Sequence, residues 1–318
     1  MLPHPATPTP VTVPAKLAEF HAGYPEYVLR DGTPWIRTLP TLAAQFLGRW
    51  RLRRAGAPMH GMVALVLPVV RDDGTPAALK LQPLDEESAG EPVALRAWGG
   101  DRTVRLLEHD AESGTMLLER LDAERSLDHV EDAEAALTDL SELLAHLVSY
   151  PAPAGMRTLA DIAAAMLDDV PKALPELSDP ADRALLRQCA AAVREVLDEP
   201  GDRLLHWDLH YENVLAPPLG SDRGTWLAID PKPLAGDPGF DLMPALHNRW
   251  GDIAATGDVR RAVRRRFDLM TEVVGLDRER AARWTLGRVL QNSLWDVADG
   301  EHAVRPDQAA VARALLPR

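Results

Sequence analysis

Apolar residues recur with a period near two in the early part of the chain and with helical spacing afterwards. Residues 62–70 form a long apolar, β-branched run, Asp72-Asp73-Gly74 is a hairpin turn signal, and residues 77–81 form the next apolar run. We therefore predict a small antiparallel sheet within residues 50–120, built from three strands, one helix and two more strands.

The pattern becomes helical after Leu121. Leu137, Leu140, Leu144 and Leu147 follow one another at helical spacing, and similar stripes predict helices near residues 258–274, 277–297 and 306–316. This break predicts a lobe of residues 49–121 and a helical lobe of residues 122–318.

Residues 1–48 form a third segment in this division. Five prolines lie among the first fourteen residues, so we expect an extended start that is ordered only where it docks. Short helices are predicted to follow, the second beginning at Thr38 as a candidate N-cap.

Length and composition fit a protein with two lobes and a large core. The chain has 318 residues, of which 46% are hydrophobic, and a net charge of −13 that disfavours nucleic acid as a partner. Cys189 is the only cysteine, and neither a signal peptide nor a membrane-spanning apolar run is apparent. We expect a cytoplasmic protein without a membrane partner.

The strongest chemical signal is a polar loop between two short apolar runs, at residues 204–215. It contains Asp208 and, after four intervening residues, Asn213; a later apolar run ends in Asp230. In phosphoryl transfer this aspartate-to-asparagine spacing supplies a proton acceptor and a metal ligand, and a further carboxylate completes the protein's contribution to Mg²⁺. His206 and His210 offer a zinc site as an alternative, although bracing of the loop is the favoured role of His206.

Candidate phosphate contacts lie upstream. Lys80 ends a predicted strand and can neutralise phosphate charge, and Glu91 can hold it as an ion pair. Pro92 suits a helix start and places Glu91 at the helix edge, so Glu87 is a possible substitute.

These motifs together resemble the aminoglycoside phosphotransferase family, and most closely its branch of streptomycin 6-kinases and hydroxyurea phosphotransferases. The resemblance implies an α+β, protein-kinase-like fold of two lobes, with ATP and Mg²⁺ as cofactors. It rests on the following segments: His206-Trp207-Asp208-Leu209-His210-Tyr211-Glu212-Asn213, Ile229-Asp230-Pro231-Lys232, and Gly236-Asp237-Pro238-Gly239-Phe240-Asp241-Leu242.

The same resemblance implies roles for individual residues. Asp208 would be the catalytic base, with Asn213 and Asp230 as Mg²⁺ ligands. Lys80 would contact the α- and β-phosphates, with Glu91 as its partner. The hinge whose backbone reads adenine would be Glu119, Arg120 and Leu121.

The acceptor would be a small, cationic, hydroxylated molecule, and the resemblance favours the 6-hydroxyl of streptomycin. Hydroxyurea or another metabolite is an alternative acceptor, and a nucleotide-binding pseudokinase or scaffold is an alternative of another class. Asp241 would also brace the catalytic loop. The residues expected nearest the substrate are Asp237, Asp241, Trp295 and Asp296.

Overall fold

A computed structural model describes residues 11–23, 27 and 33–317 of the chain. Most of the proline-rich start, residues 1–10, lies outside these described residues. The chain divides into two compact units. The first runs to Gly100 and resumes at residues 104–121, and the second comprises residues 101–103 and 122–318.

The first unit is built on an antiparallel sheet in which, within the described residues, six strands take part. The strands are β1 (Arg53–Arg54), β2 (Met59–His60), β3 (Leu65–Val70), β4 (Pro76–Leu81), β5 (Leu106–His109) and β6 (Met116–Glu119), and helix α3 (Glu91–Trp98) lies between β4 and β5. Five of the strands follow the order β1-β3-β4-β6-β5, and β2 pairs with β3.

The expected order of three strands, a helix and two strands is therefore wrong by one strand. The alternation at residues 50–53 predicts one strand before the run 62–70, whereas two short strands pair with β3, at Arg53–Arg54 and at Met59–His60. Gly56 and Gly61 lie on either side of β2. Pro68, in the middle of β3, cannot donate a ladder hydrogen bond, but it pairs with Ala78 in an unbroken register.

Two helices precede the sheet and pack on it: α1 (Ala15–Gly23) and α2 (Trp35–Arg49). Leu39 and Phe46 of α2 share one buried cluster with Leu65 and Leu79 of the sheet. The helices of the predicted segment 1–48 thus belong to the core of the first unit. Thr38 is not an N-cap, because α2 begins at Trp35 and the Thr38 hydroxyl donates to the Trp35 carbonyl at 2.7 Å.

The second unit is mainly helical, as the apolar spacing predicts. Five of the helices described in this unit begin at side-chain caps that the sequence supplies: Asp132, Thr158, Asp179, Asp258 and Asp277. The helices of the unit are α4 (Ala133–Leu147), α5 (Leu159–Ala173), α6 (Pro180–Val196), α7 (Met243–His247), α8 (Trp250–Ala255), α9 (Val259–Val274), α10 (Arg278–Ala298) and α11 (Pro306–Leu315).

Helix α10 is the central helix of this unit and packs against α6, α5 and the 3-10 turn Pro238–Leu242. Gly287 permits the close approach to α6, because a Cβ atom there would lie 3.1 Å from Cγ2 of Val193. Cys189 of α6 is buried in this core, and burial raises the pKa of its thiol to about 12.

Two small antiparallel sheets complete the second unit. Strands β8 (Arg203–Leu205) and β11 (Leu234–Gly236) form one, and β10 (Leu227–Ala228), β9 (Val214–Ala216) and β7 (Asp122–Ser126) form the other in that order. Of the helices that the structure describes, none has the length and apolar content needed to cross a bilayer.

Candidate active site

Two chain segments connect the same pair of small sheets. Residues 206–213 lead from β8 to β9, and residues 229–233 lead from β10 back to β11. Because β8 pairs with β11 and β9 pairs with β10, both segments run between the same two sheets. The backbone N–H of Ile229 donates to the Asn213 carbonyl at 2.9 Å, and that of Lys232 donates to the His206 carbonyl at 3.0 Å. The sheets therefore bring Asp208, Asn213 and Asp230 into one neighbourhood.

Asn213 is held against Asp208. Its side-chain Nδ2 donates to the Asp208 carbonyl at 2.9 Å and lies 3.5 Å from Oδ2 of the same residue. In this orientation the amide nitrogen faces Asp208, which leaves the amide oxygen as the atom suited to bind a cation.

Asp230 has the left-handed backbone conformation, with φ of 57°. This is uncommon for a residue with a side chain, although aspartate tolerates it better than most. Its Oδ1 lies 3.1 Å from Nζ of Lys232, and about a third of its side chain is exposed. The turn thus presents a carboxylate beside the loop that carries Asp208.

These donors suit Mg²⁺ bound jointly with phosphates. Among the described residues, no group of three histidine, cysteine, aspartate or glutamate side chains is arranged to hold a metal by itself. One carboxylate and one amide oxygen are, however, the small protein contribution that Mg²⁺ takes when phosphates and water supply its other ligands. Asn213 and Asp230 fit that donor set, whereas a zinc site of His206 and His210 would need further protein ligands.

The carboxyl group of Asp208 lies in a mostly buried environment. Burial raises its pKa, while the nearby charges of His210 and Arg288 lower it. Within the part of the chain that the structure describes, Asn213 is the hydrogen-bond partner of this carboxylate, so its orientation depends mainly on the backbone that carries it.

Asp241 supports that backbone through a hydrogen bond to its first residue, His206. Its Oδ2 accepts a hydrogen bond from the His206 N–H at 2.8 Å. The side chain is completely buried, and this burial raises its pKa to about 7. This geometry is compatible with the bracing role that the resemblance implies. Contact between Asp241 and a substrate is not, because the side chain is completely buried.

His206 lies beside the turn that carries Asp230. Its Nε2 is 3.0 Å from the carbonyl of Ile229. Burial lowers the pKa of the imidazole to about 3, so the ring is neutral near pH 7 and Nε2 carries the donated proton. His206 therefore links the two segments by a hydrogen bond.

The other residues expected near substrate lie further along the chain. Asp237 caps the turn Pro238–Leu242 by accepting from the Gly239 N–H, and it pairs with Arg280 at 3.0 Å. Asp296 pairs with Arg305 at 3.2 Å. Trp295 is 42% exposed and packs edge-to-face on Trp207, with ring centroids 5.8 Å apart. Of these residues, Trp295 is thus the one in contact with the segment that carries Asp208.

The first unit holds the predicted phosphate and hinge residues. Nζ of Lys80 donates to both carboxylate oxygens of Glu91 at 2.7 Å, and Gln82 donates to one of them at 2.8 Å. Glu91 is completely buried, and the pair ties β4 to the first turn of α3. Glu87, the alternative partner, is half-buried and its backbone N–H donates to Asp85.

The predicted hinge follows β6. The carboxylate of Glu119 accepts from the Arg105 N–H at 3.2 Å, and its own N–H donates to the Arg105 carbonyl at 2.9 Å. Arg120 is half-buried and Leu121 is buried. Glu119 thus has both its side chain and its backbone engaged by the adjacent segment.

Two features beside the loop were not predicted from the sequence. Lys232 pairs with Asp230, and Arg288 of α10 lies with its guanidinium 4.8 Å from the centroid of the Trp207 ring. A polar residue at a buried helical position is the signal that points to Arg288, since it stands among apolar residues of α10.

Comparison with known proteins identifies the family. Residues 49–300 match the family model described as aminoglycoside/hydroxyurea antibiotic resistance kinase. The chain belongs to this family. The resemblance stated from the sequence is thus confirmed, and the protein is a kinase of the aminoglycoside phosphotransferase type.

Two relatives resemble this kinase over nearly its whole length. It is 57% identical to a streptomycin 6-kinase of Streptomyces glaucescens over 305 residues, which cover 96% of this chain and 97% of that one. It is also 57% identical to a hydroxyurea phosphotransferase of Kitasatospora aureofaciens over 312 residues, covering 97% and 87% respectively. Overall identity therefore does not separate these two acceptors.

Solved structures confirm the predicted fold class. An aminoglycoside phosphotransferase in complex with AMP-PNP and hygromycin B aligns with a TM-score of 0.57 at 14% identity, over 86% of this chain and 96% of that one. At such low identity this similarity concerns the fold alone: the chain has a protein-kinase-like fold.

Proposed function

We propose that this kinase transfers the γ-phosphoryl group of ATP to a hydroxyl of a small cationic acceptor, with the 6-hydroxyl of streptomycin as the favoured target. The relationship to streptomycin 6-kinase along nearly the full chain supports this acceptor. The observation that carries the reaction type is the joint placement of Asp208, Asn213 and Asp230 on two segments linked by backbone hydrogen bonds.

Asp208 acts as proton acceptor in this proposal. The acceptor oxygen forms a bond to the γ-phosphorus while the bond from phosphorus to the β–γ bridging oxygen breaks, and ADP leaves. Asp208 orients the attacking hydroxyl and takes its proton. A positioned general base contributes about 10²- to 10⁴-fold to the rate, and the remainder of the acceleration comes from alignment and charge stabilisation.

Asn213 and Asp230 would hold Mg²⁺, which when bound would neutralise phosphate charge, and Lys80 would contact the α- and β-phosphates. The Lys80–Glu91 pair supports the assignment because it fixes the ammonium group at the end of β4. The hinge of Glu119, Arg120 and Leu121 reads adenine through its backbone.

Four acids near the end of α10 support a cationic acceptor. Asp296 pairs with Arg305 at 3.2 Å. Burial raises the pKa of Asp296, Arg305 lowers it, and the charges of Asp299, Asp307 and Glu301 raise it further. We call them the α10-end acids: Asp296, Asp299, Glu301 and Asp307. Asp299 and Glu301 are exposed, so they are able to meet the guanidinium groups of streptomycin in charge-assisted hydrogen bonds.

An acceptor panel tests the proposal. ATP, Mg²⁺ and the purified chain are incubated with streptomycin, hydroxyurea and other aminocyclitols, and the products are identified by mass spectrometry. Phosphorylated streptomycin is the expected product. Phosphorylated hydroxyurea alone would replace the favoured acceptor with the second candidate, which has equal support from overall identity. ATP binding without any phosphorylated product would favour a nucleotide-binding scaffold.

Charge variants sharpen the choice of acceptor. Asp299→Asn combined with Glu301→Gln is expected to raise KM for streptomycin about threefold or more, because two exposed charge contacts are lost. KM for neutral hydroxyurea should stay unchanged. Glu279→Gln, at the opposite end of α10, is the matched control for loss of a surface acid. Equal effects on both acceptors would remove the α10-end acids from substrate recognition.

A further inference from the structure

Arg288 lies in the interior of the second unit with its guanidinium among three aromatic rings. Its Cζ is 4.8 Å from the ring centroid of Trp207, 5.2 Å from that of Trp295 and 5.8 Å from that of Phe240. The residue is 8% exposed, and Nη1 donates to Oε1 of Gln291 at 2.6 Å. The cation thus occupies a cage formed by the chain's own aromatic side chains.

Trp207 is the ring that connects this cage to the reacting group. It immediately precedes Asp208 and has φ of 66°, a left-handed conformation that is rare for a bulky residue. Such a backbone persists only where its surroundings hold it. Asp241 holds the backbone one residue earlier, where its carboxylate accepts from the His206 N–H at 2.8 Å.

The ring side of Trp207 is held by cations and by a second indole. Arg157 places its Cζ 4.8 Å from the ring centroid, the same distance as Arg288, and Trp295 packs edge-to-face against it. Trp207 itself is 2% exposed. Arg288 and Trp295 are two turns apart on α10, so one face of this helix supplies two of the three contacts.

We infer that Arg288 is a positioning residue for the catalytic loop, acting through the ring of Trp207 to keep Asp208 in its presented orientation. The inference rests on the proposed role of Asp208, and it assigns α10 a task beyond packing. Loss of the guanidinium would free the Trp207 ring to turn, and the strained backbone ahead of Asp208 would relax with it.

Two substitutions and a matched control test this inference. Arg288→Met keeps an unbranched side chain of similar length without charge, and Arg288→Lys keeps the charge without the planar group. The control is Arg278→Met on the same helix, where the guanidinium packs at 5.4 Å on Phe267 and pairs with exposed Asp268. The control also removes a cation–aromatic contact of α10, but that contact is with Phe267 and not with Trp207 of the loop.

Two readouts are measured on each variant. Steady-state kinetics with ATP and streptomycin give kcat and KM, and hydrogen exchange of the backbone amides in residues 204–213 reports the loop directly. We expect Arg288→Met to lower kcat about tenfold or more while KM for ATP stays within about twofold, and to speed exchange in that segment. Arg288→Lys should lie between wild type and Arg288→Met in both readouts.

The inference fails if Arg288→Met matches Arg278→Met in kcat and in loop exchange. It also fails if Arg288→Lys and Arg288→Met lose activity equally, since that pattern indicates a general packing defect. Should Arg288→Met not fold, Arg288→Lys decides alone, and wild-type kcat with wild-type loop exchange overturns the inference. Hydrogen exchange needs no acceptor, so a failed acceptor panel would refute the proposed function without removing this test.

Discussion

The carboxylate of Asp241 accepts a hydrogen bond from the backbone N–H of His206 at 2.8 Å, across 35 positions of sequence. The contact joins the turn Pro238–Leu242 to the start of the catalytic loop. Because Asp241 is ionisable and fully buried, its contribution to the stability of the protein depends on pH.

Asp241→Asn is expected to gain stability relative to wild type as pH rises. The folded-state pKa of Asp241 is about 7, above the ordinary value of 3.8. The folded protein therefore holds an extra proton between these values, and the contribution of Asp241 to stability is lost as pH rises through about 7. Asparagine keeps an acceptor for the His206 N–H and does not ionise.

Urea unfolding of both proteins near pH 4 and above pH 7 measures this difference. His206, whose pKa burial lowers to about 3, has the opposite dependence, so the variant must be compared with wild type at each pH. A pH-independent difference would mean that Asp241 is ionised throughout. Asp241→Ala should lower the free energy of unfolding by about 1–3 kcal/mol, because the buried His206 N–H loses its hydrogen-bond acceptor.

Asp208→Asn should lower kcat by about 10²- to 10⁴-fold, the range expected for removal of a general base. Asparagine has nearly the same shape, so nucleotide binding and thermal stability should change little. Rapid-quench measurement of phosphoryl transfer, with ATP affinity measured by calorimetry, separates the two effects. Retention of more than a tenth of wild-type kcat would contradict the assignment of Asp208 as the base.

Asp230→Asn should weaken Mg²⁺-dependent ATP binding, since the variant loses the charged metal ligand. The concentration of Mg²⁺ needed for half-maximal activity and the nucleotide affinity at saturating Mg²⁺ are the quantities to measure. Asp237→Asn serves as a matched control, because Asp237 is occupied by Arg280 and by the cap of the turn Pro238–Leu242. A change in Mg²⁺ dependence of equal size in both variants would count against Asp230 as the ligand.

Glu91→Gln should raise KM for ATP about tenfold and lower the free energy of unfolding by about 1–3 kcal/mol. The carboxylate accepts from both Lys80 and Gln82, and a glutamine side chain offers one acceptor fewer. Glu108→Gln, on the exposed side of β5, controls for loss of a glutamate in the same unit. An unchanged KM for ATP would show that the Lys80–Glu91 ion pair does not contribute to phosphate binding.

The sequence predicts the type of reaction better than it predicts helix boundaries and the contacts that hold the catalytic loop. The spacing of Asp208, Asn213 and Asp230 is local and was readable, and the family and fold class that it suggested are confirmed. Boundaries were less accurate. Thr38 resembles an N-cap, yet α2 begins three residues earlier because Trp35 and Leu39 both face the core.

Arg288 and Lys232 were missed for a different reason. Their partners are fixed by tertiary packing, since Arg288 reaches Trp207 only because α10 passes beside the catalytic loop. The pairing of β2 with β3 was also missed, because a two-residue strand has too few residues to show a period.

The single cysteine has a practical consequence for following the kinase in solution. Cys189 is buried and its thiol remains protonated far above neutral pH. A cysteine introduced at an exposed position, such as the tip of the hairpin at Asp73, would then be the sole thiol open to maleimide reagents. Fluorophores or spin labels could be attached there without first removing the native residue.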